Sequence, residues 1–164
     1  MRVGFIGLGN VGGKLSGSLL RNGTELAVHD LNPELVARFV ERGAVVGGSA
    51  SQLMQSCDVV ITCLPSPAAS AAVMDEMLPQ VTAGKIWLEM STTDEAEVKR
   101  LGAAVIAAGG AAVDCPVSGG CHRADTGNIS IFAGCARDTF ERILPLLTKM
   151  GRRILHTGEL GSAS

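Results

Sequence analysis

Residues 7 to 12 read Gly7-Leu8-Gly9-Asn10-Val11-Gly12, and their surroundings leave few folds open. They follow directly on an apolar run, residues 2–6, and lead into a stretch where Val11, Leu15 and Leu19 recur at helical spacing. A strand that turns through glycines into a helix is the opening of a βαβ unit, and each glycine has its own use there. Gly7 permits the tight turn, Gly9 lets the backbone approach a pyrophosphate, and Gly12 lets the helix pack closely on the strand. The start of the helix adds free N–H groups and a favourable dipole. Among the 21 glycines of a 164-residue chain the spacing alone would be a weak signal. The strand before it and the helix after it give it weight.

The rest of the chain keeps the same rhythm of short apolar runs and longer helical stretches. Strands are expected at residues 2–6, 25–29, 44–46, 59–64, 86–89, 111–115, 129–133 and 153–156. The run Val59-Val60-Ile61-Thr62-Cys63-Leu64 has no inside/outside alternation, as expected of parallel strands covered on both faces. Asn32-Pro33 and Ser66-Pro67 each offer a capping side chain followed by proline at the first helical position. Ser49 with Gln52, and Thr92 with Glu95, have capping-box spacing. Gly23, Gly43, Gly109 and Gly151 stand just past helical stretches as left-handed stops. In the helix expected over residues 94–108, Val98, Leu101 and Val105 form the apolar stripe. The expected fold is a Rossmann-type, doubly wound α/β domain, a mostly parallel sheet in three layers, spanning residues 1–164 as one domain. The Gly/Ser-rich residues 158–164 read as the start of a connection.

Composition excludes several function classes. Fourteen basic and sixteen acidic side chains give a net charge of -2 with no run of either sign, so no nucleic-acid partner is expected. The apolar opening is interrupted by Gly4, Gly7 and Gly9 and is neither a signal segment nor a spanning helix, so no membrane partner is expected either. The expected location is the cytoplasm, or the mitochondrial matrix in a eukaryote. Cys57, Cys63, Cys115, Cys121 and Cys135 are odd in number and form no C-x-x-C pair, which fits buried thiols in a reducing compartment. His29, His122 and His156 lack ligand spacing with them, so no metal site is expected. His29 and His156 read as strand-end residues, and His122 as part of a solvated loop.

Asp30 ends the second expected strand, eighteen residues beyond Gly12. A carboxylate there can accept hydrogen bonds from both ribose hydroxyls of NAD and repels a 2′-phosphate, and the next arginine, Arg38, lies inside the following helix. Asp30, with Leu31 beside it, is therefore an expected cofactor contact, and NAD is favoured over NADP, which stays possible.

At this point the chain resembles the 3-hydroxyisobutyrate dehydrogenase family of the larger 6-phosphogluconate dehydrogenase-like group. The resemblance begins with Phe5-Ile6-Gly7-Leu8-Gly9-Asn10-Val11-Gly12. It continues through Cys57-Asp58-Val59-Val60-Ile61-Thr62-Cys63-Leu64-Pro65, Glu89-Met90-Ser91-Thr92 and Asp114-Cys115-Pro116-Val117-Ser118-Gly119-Gly120. It implies that Leu64, Pro65 and Thr92 touch the ribose and nicotinamide end of the cofactor. It also implies that Ser118, Gly119 and Gly120 hold a substrate carboxylate, for which a hydroxyl and glycine-exposed amides are suitable chemistry. The reaction implied is hydride transfer between NAD(P) and a small 3-hydroxyacid. Ala69 stands where some members of the family carry a cofactor-contacting asparagine. The family's catalytic lysine belongs to a C-terminal helical part that follows the segment resembling residues 156–164, so no catalytic residue is expected in this chain and the chain alone is expected to be inactive. Lys14 and Lys85 read as surface charges. Two other readings stay open, a non-catalytic dinucleotide-binding module and an NADPH-dependent imine or ketone reductase. The Ser118-Gly119-Gly120 loop speaks against the first, and Asp30 together with that loop against the second. A homo-oligomer is possible, since removal of a partner domain would expose an apolar face.

Overall fold

A computed structural model describes all 164 residues, the side chain of Cys121 excepted. The chain runs β1 (Val3–Ile6), α1 (Asn10–Arg21), β2 (Leu26–His29), α2 (Pro33–Glu41), β3 (Val45–Val46), α3 (Ala50–Ser56), β4 (Val59–Thr62), α4 (Pro67–Met77), β5 (Ile86–Glu89), α5 (Glu95–Ala107), β6 (Ala111–Asp114). It then runs β7 (Val117–Ser118), α6 (Gly120–Asp125), β8 (Ile129–Gly134), α7 (Arg137–Leu147) and β9 (Gly151–Gly158).

The sheet order is β3-β2-β1-β4-β5-β6-β8-β7, with β9 on β8. Pairing is parallel from β3 through to β6, and Val3 lies in register with both Leu26 and Val59. The chain reverses after β6: β8 runs antiparallel to β6 and β7, and β9 returns parallel to β8. Apolar residues alternate between two cores within a single strand, which is why these strands carry no polar face. Ile86 and Leu88 join Phe5, Leu15, Leu19, Phe39, Ile143 and Leu147 on the side of α1, α2, α6 and α7. Trp87 joins Val60, Leu53, Met74, Val98 and Leu101 on the side of α3, α4 and α5. Helices thus cover both faces in the expected three layers. The winding changes direction between β1 and β4, where a doubly wound sheet opens a crevice at its strand ends.

Local signals fix many of these boundaries. Asn32, Ser49 and Ser66 accept from the backbone amides of Glu34, Gln52 and Ala69 as caps of α2, α3 and α4. Gly23, Gly43 and Gly109 sit at positive φ past α1, α2 and α5. Several expectations need correction. Thr92 caps nothing: Asp94 is the cap of α5 and accepts from Glu97 N at 2.7 Å. Gly151 opens β9 with no positive φ, and its missing side chain serves close packing, since a Cβ would meet Ile129 O and Ile131 at 2.7 Å. The last strand is longer than residues 153–156, and His156 lies within it, its ring stacked on Phe140 with centroids 4.7 Å apart. The segment around His122 is helix α6, and β7 has no counterpart in the sequence reading. Cys57, Cys115 and Cys135 are buried and Cys63 half-buried, all as free thiols just outside the strands, while the side chain of Cys121 lies outside the described residues.

Candidate functional site

A cleft of about 940 Å³ runs across the carboxyl ends of β2, β1, β4, β5 and β6. Its centre is the turn after β1. Gly7 has φ +101°, and a side chain there would strike the Cys63 carbonyl of β4. A Cβ on Gly12 would strike the Gly7 carbonyl, so this glycine brings α1 down onto the turn. Gly9 is different: no atom lies within 4 Å of where its Cβ would stand. The space it keeps open belongs to the cleft rather than to protein packing.

The start of α1 is chemically unfinished. Among the described residues, the amides of Gly9, Asn10, Val11 and Gly12 donate to no acceptor. Helices α2 to α5 each have a capping side chain at their start, whereas α1 has none and carries no acidic residue in its first turn. Four free N–H groups and an unopposed positive helix end beside open space suit an anion.

Toward β2, Asp30 holds the turn in place. Its Oδ2 accepts from Leu8 N at 2.7 Å and its Oδ1 from Asn32 N at 2.8 Å. Each carboxylate oxygen keeps further acceptor capacity for a hydroxyl. Leu31 next to it is 95% exposed and lines the cleft, as do Leu35, Ala69 and Val73. These make an apolar wall at this end.

On the other side of the turn, the ends of β4 and β5 supply Cys63, Leu64 and Pro65, then Met90, Ser91 and Thr92. Burial pushes the Cys63 thiol up to about 12, helped by the neighbouring Glu89 charge, so this sulfur is an inert part of the wall. Beyond β6, Pro116, Val117 and Gly120 line the cleft, while Ser118 and Gly119 are exposed beside it. Gly119 and Gly120 have φ +130° and +75°, and among the described residues neither amide donates to another backbone carbonyl.

Of the residues expected to contact cofactor or substrate, eleven line the cleft: Gly7, Gly9, Asn10, Val11, Gly12, Asp30, Leu31, Leu64, Pro65, Thr92 and Gly120. Leu8, Ser118 and Gly119 do not. Leu8 turns its side chain into the core and offers its amide to Asp30.

Ala163 and Ser164 also line the cleft and were not expected to. Their amides donate to Asp114 Oδ2 at 3.1 and 3.0 Å, which folds the chain end back over β6. Asp114 is buried, and burial pushes its carboxyl up from the ordinary value against the pull of these amides. Neither alternative lysine reaches the cleft. Lys85 caps α3 from the opposite end of the sheet, donating to Gln55 O and Cys57 O, and Lys14 is half-exposed near Asp125. No group of histidine, cysteine or acidic residues among the described residues is arranged to hold a metal, and no helix among them is long and apolar enough to cross a membrane.

Comparison with known proteins agrees with this geometry. The model of the family described as the NAD binding domain of 6-phosphogluconate dehydrogenase matches residues 2–158. The chain is 34% identical over 163 residues to 3-hydroxyisobutyrate dehydrogenase of Pseudomonas aeruginosa, covering 98% of this chain and 55% of that one. It is also 34% identical to the mitochondrial 3-hydroxyisobutyrate dehydrogenase of Rattus norvegicus, covering 98% and 49%. The solved 3-hydroxyisobutyrate dehydrogenase of Mycobacterium tuberculosis, described with L-serine, superposes with a TM-score of 0.94 at 27% identity, covering 99% of this chain and 57% of that one. The chain spans about half the length of these relatives.

Proposed function

The chain belongs to the family of the NAD-binding domain of 6-phosphogluconate dehydrogenase, and from that premise we propose that it is the cofactor-holding part of a dehydrogenase acting on a small 3-hydroxyacid. The observation that carries this reading is the unfinished start of α1, with four free amides beside Gly9 in a cleft that runs without a break from Asp30 to the Pro116–Gly120 loop. The residues fit NAD. Gly9, Asn10, Val11 and Gly12 would hold the pyrophosphate by their amides, Asp30 the adenosine ribose, and Leu31 and Val73 the adenine face. Leu64, Pro65 and Thr92 would hold the other ribose and the nicotinamide. NAD, when bound, takes up or gives the hydride.

The protein's own contribution is orientation and charge. The free amides of Gly119 and Gly120, with the exposed Ser118 hydroxyl beside them, would hold a carboxylate at this end of the cleft. A carboxylate fixed there sets the distance between the hydroxyl-bearing carbon of the substrate and the reacting end of the cofactor. The likeness to 3-hydroxyisobutyrate dehydrogenases of two organisms supports this substrate class. The test is NADH formation by the whole gene product from a panel of small 3-hydroxyacids, followed by absorbance. Turnover of at least one is expected. Tight NAD binding with no turnover of any hydroxyacid would overturn the substrate class while leaving the cofactor assignment standing.

A further inference from the structure

We infer that Glu89 is the positioning residue for the part of the dinucleotide site that lies over β4 and β5, acting through Thr62 and Ser91 and touching no ligand itself. The inference rests on the reading of the cleft as an NAD site. Strand order gives the location. With the adenosine ribose at Asp30 on β2 and the pyrophosphate at the turn after β1, the remaining ribose and nicotinamide pass over the next two strand ends, β4 and β5.

These two ends are wired together beneath the cleft. Glu89 closes β5 opposite Thr62 of β4, and both are almost wholly buried, at 1% exposure. Trp87 Nε1 donates to Thr62 Oγ1 at 2.9 Å, which directs the single hydroxyl proton of Thr62 onto Glu89 Oε1, also at 2.9 Å. The same Oε1 accepts from Ser91 N at 3.1 Å, at the bend that follows β5. So placed, the Ser91 hydroxyl oxygen accepts from Leu64 N at 2.7 Å. Leu64 and Ser91 line the cleft, and Glu89, Thr62 and Trp87 do not. One buried carboxyl oxygen thus sets the spacing of the two loops that face the ligand.

The other oxygen, Oε2, is buried and has no partner among the described residues. A strand end that needed only to pack would be better served by an apolar side chain, since burying a carboxyl with an unsatisfied oxygen costs stability. What the fold gains from Glu89 is the fixed geometry of the two loops, held by Oε1 alone.

The test compares NAD with ADP, which reaches only Asp30 and the turn, by calorimetric titration of the chain. Glu89→Ala and Thr62→Val weaken NAD binding about tenfold and leave ADP binding within about twofold of wild type. Glu89→Gln presents an amide oxygen in place of Oε1, Thr62→Ser keeps the hydroxyl, and both restore NAD binding to within about threefold. Thr62→Val is close in shape to the native residue and carries the test if Glu89→Ala does not fold, with ADP binding and the melting temperature as the check on folding. Parallel loss of NAD and ADP binding would make the network a plain packing element and overturn the inference. So would unchanged NAD affinity in Thr62→Val, or a Gln variant as weak as Ala. A wild-type chain that binds neither ligand would overturn the cofactor reading and this inference with it.

Discussion

At the scale of single residues, the three glycines of the turn have the same composition and different duties, and substitution separates them. Gly7 and Gly12 are hemmed in by backbone, so any side chain there forces the turn or the helix to move. Gly9 has φ -70° and open space where a Cβ would stand, so the fold tolerates a larger residue while the cleft does not. Gly9→Val is expected to melt within about 3 °C of wild type, a change of less than about 1 kcal/mol for a chain of this size. The same variant should lose the rise in melting temperature that NAD confers on the native chain. An unchanged NAD response in thermal shift and calorimetry would remove the turn from the site. Asp30 has two duties, since its oxygens already hold the amides of Leu8 and Asn32. Asp30→Asn keeps an acceptor for the turn and removes the charge that repels a 2′-phosphate. The loosened turn affects NAD and NADP alike and cancels in their ratio. That ratio should fall about tenfold from its wild-type preference for NAD, and a wild-type preference for NADP in direct titration would sink the assignment.

At the scale of elements, what the sequence made legible is what local chemistry dictates. The caps at Asn32, Ser49 and Ser66 work on amides two or three residues away, so their spacing can be read directly. The buried strands of the parallel sheet announce themselves by apolar runs. Strand β7 is two residues long and exists because Ile131 and Ser130 of β8 lie opposite it, which no local pattern can reveal. Gly151 looked like a helix stop because it follows α7, but its use is set by Ile129 and Ile131 across the sheet. The same holds at the site. The turn and Asp30 were legible, whereas the walls formed by Ala163 and Ser164 depend on Asp114, about fifty residues earlier. That junction makes a pH prediction. Because burial raises the Asp114 carboxyl above its ordinary value, the folded chain binds its proton more tightly than the unfolded chain does. The contribution is fully present below the ordinary carboxyl range, where both states are protonated, and is lost as pH rises through the raised value. Across that window the wild-type chain loses up to about 1.4 kcal/mol per pH unit from this group. Asp114→Asn titrates nothing there and keeps an oxygen for the two amides. Its stability relative to wild type should therefore rise as pH is raised above the ordinary carboxyl range in denaturant titrations. A difference that does not vary with pH would show that Asp114 is not protonated preferentially in the folded chain.

At the scale of the whole molecule, the cleft is well furnished for binding and poorly furnished for proton movement. Transfer of a hydride to or from a hydroxyl-bearing carbon also requires a proton to leave or join the oxygen, and a positioned acid or base contributes about 10² to 10⁴ in rate. Among the described residues, the titratable groups that line the cleft are His29, Asp30, Cys63 and Glu76. His29 and Asp30 stand at the end of β2, on the far side of the turn from β4, and Glu76 is on α4, outside the Pro116–Gly120 loop. Cys63 is held up to about 12 and does not exchange its proton near neutrality. His122 is exposed on α6 and does not line the cleft. Lys85 is tied to carbonyls at the opposite end of the sheet. Near Pro116 to Gly120 the wall is formed by Ala163, Ser164 and apolar side chains, none of which is an acid or base in this range. The 164-residue chain is therefore expected to bind NAD yet form no NADH from any small 3-hydroxyacid above the uncatalysed rate, while a longer protein that contains it, at the length of its relatives, is expected to do so. Both proteins should show the same NAD affinity within about threefold if the dinucleotide cleft is complete in these residues. Comparable turnover by the two would show that the acid or base lies within the chain. His122→Ala would then be the first variant to assay, because His122 lies on the short helix α6 that opens at Gly120 of the Ser118 loop.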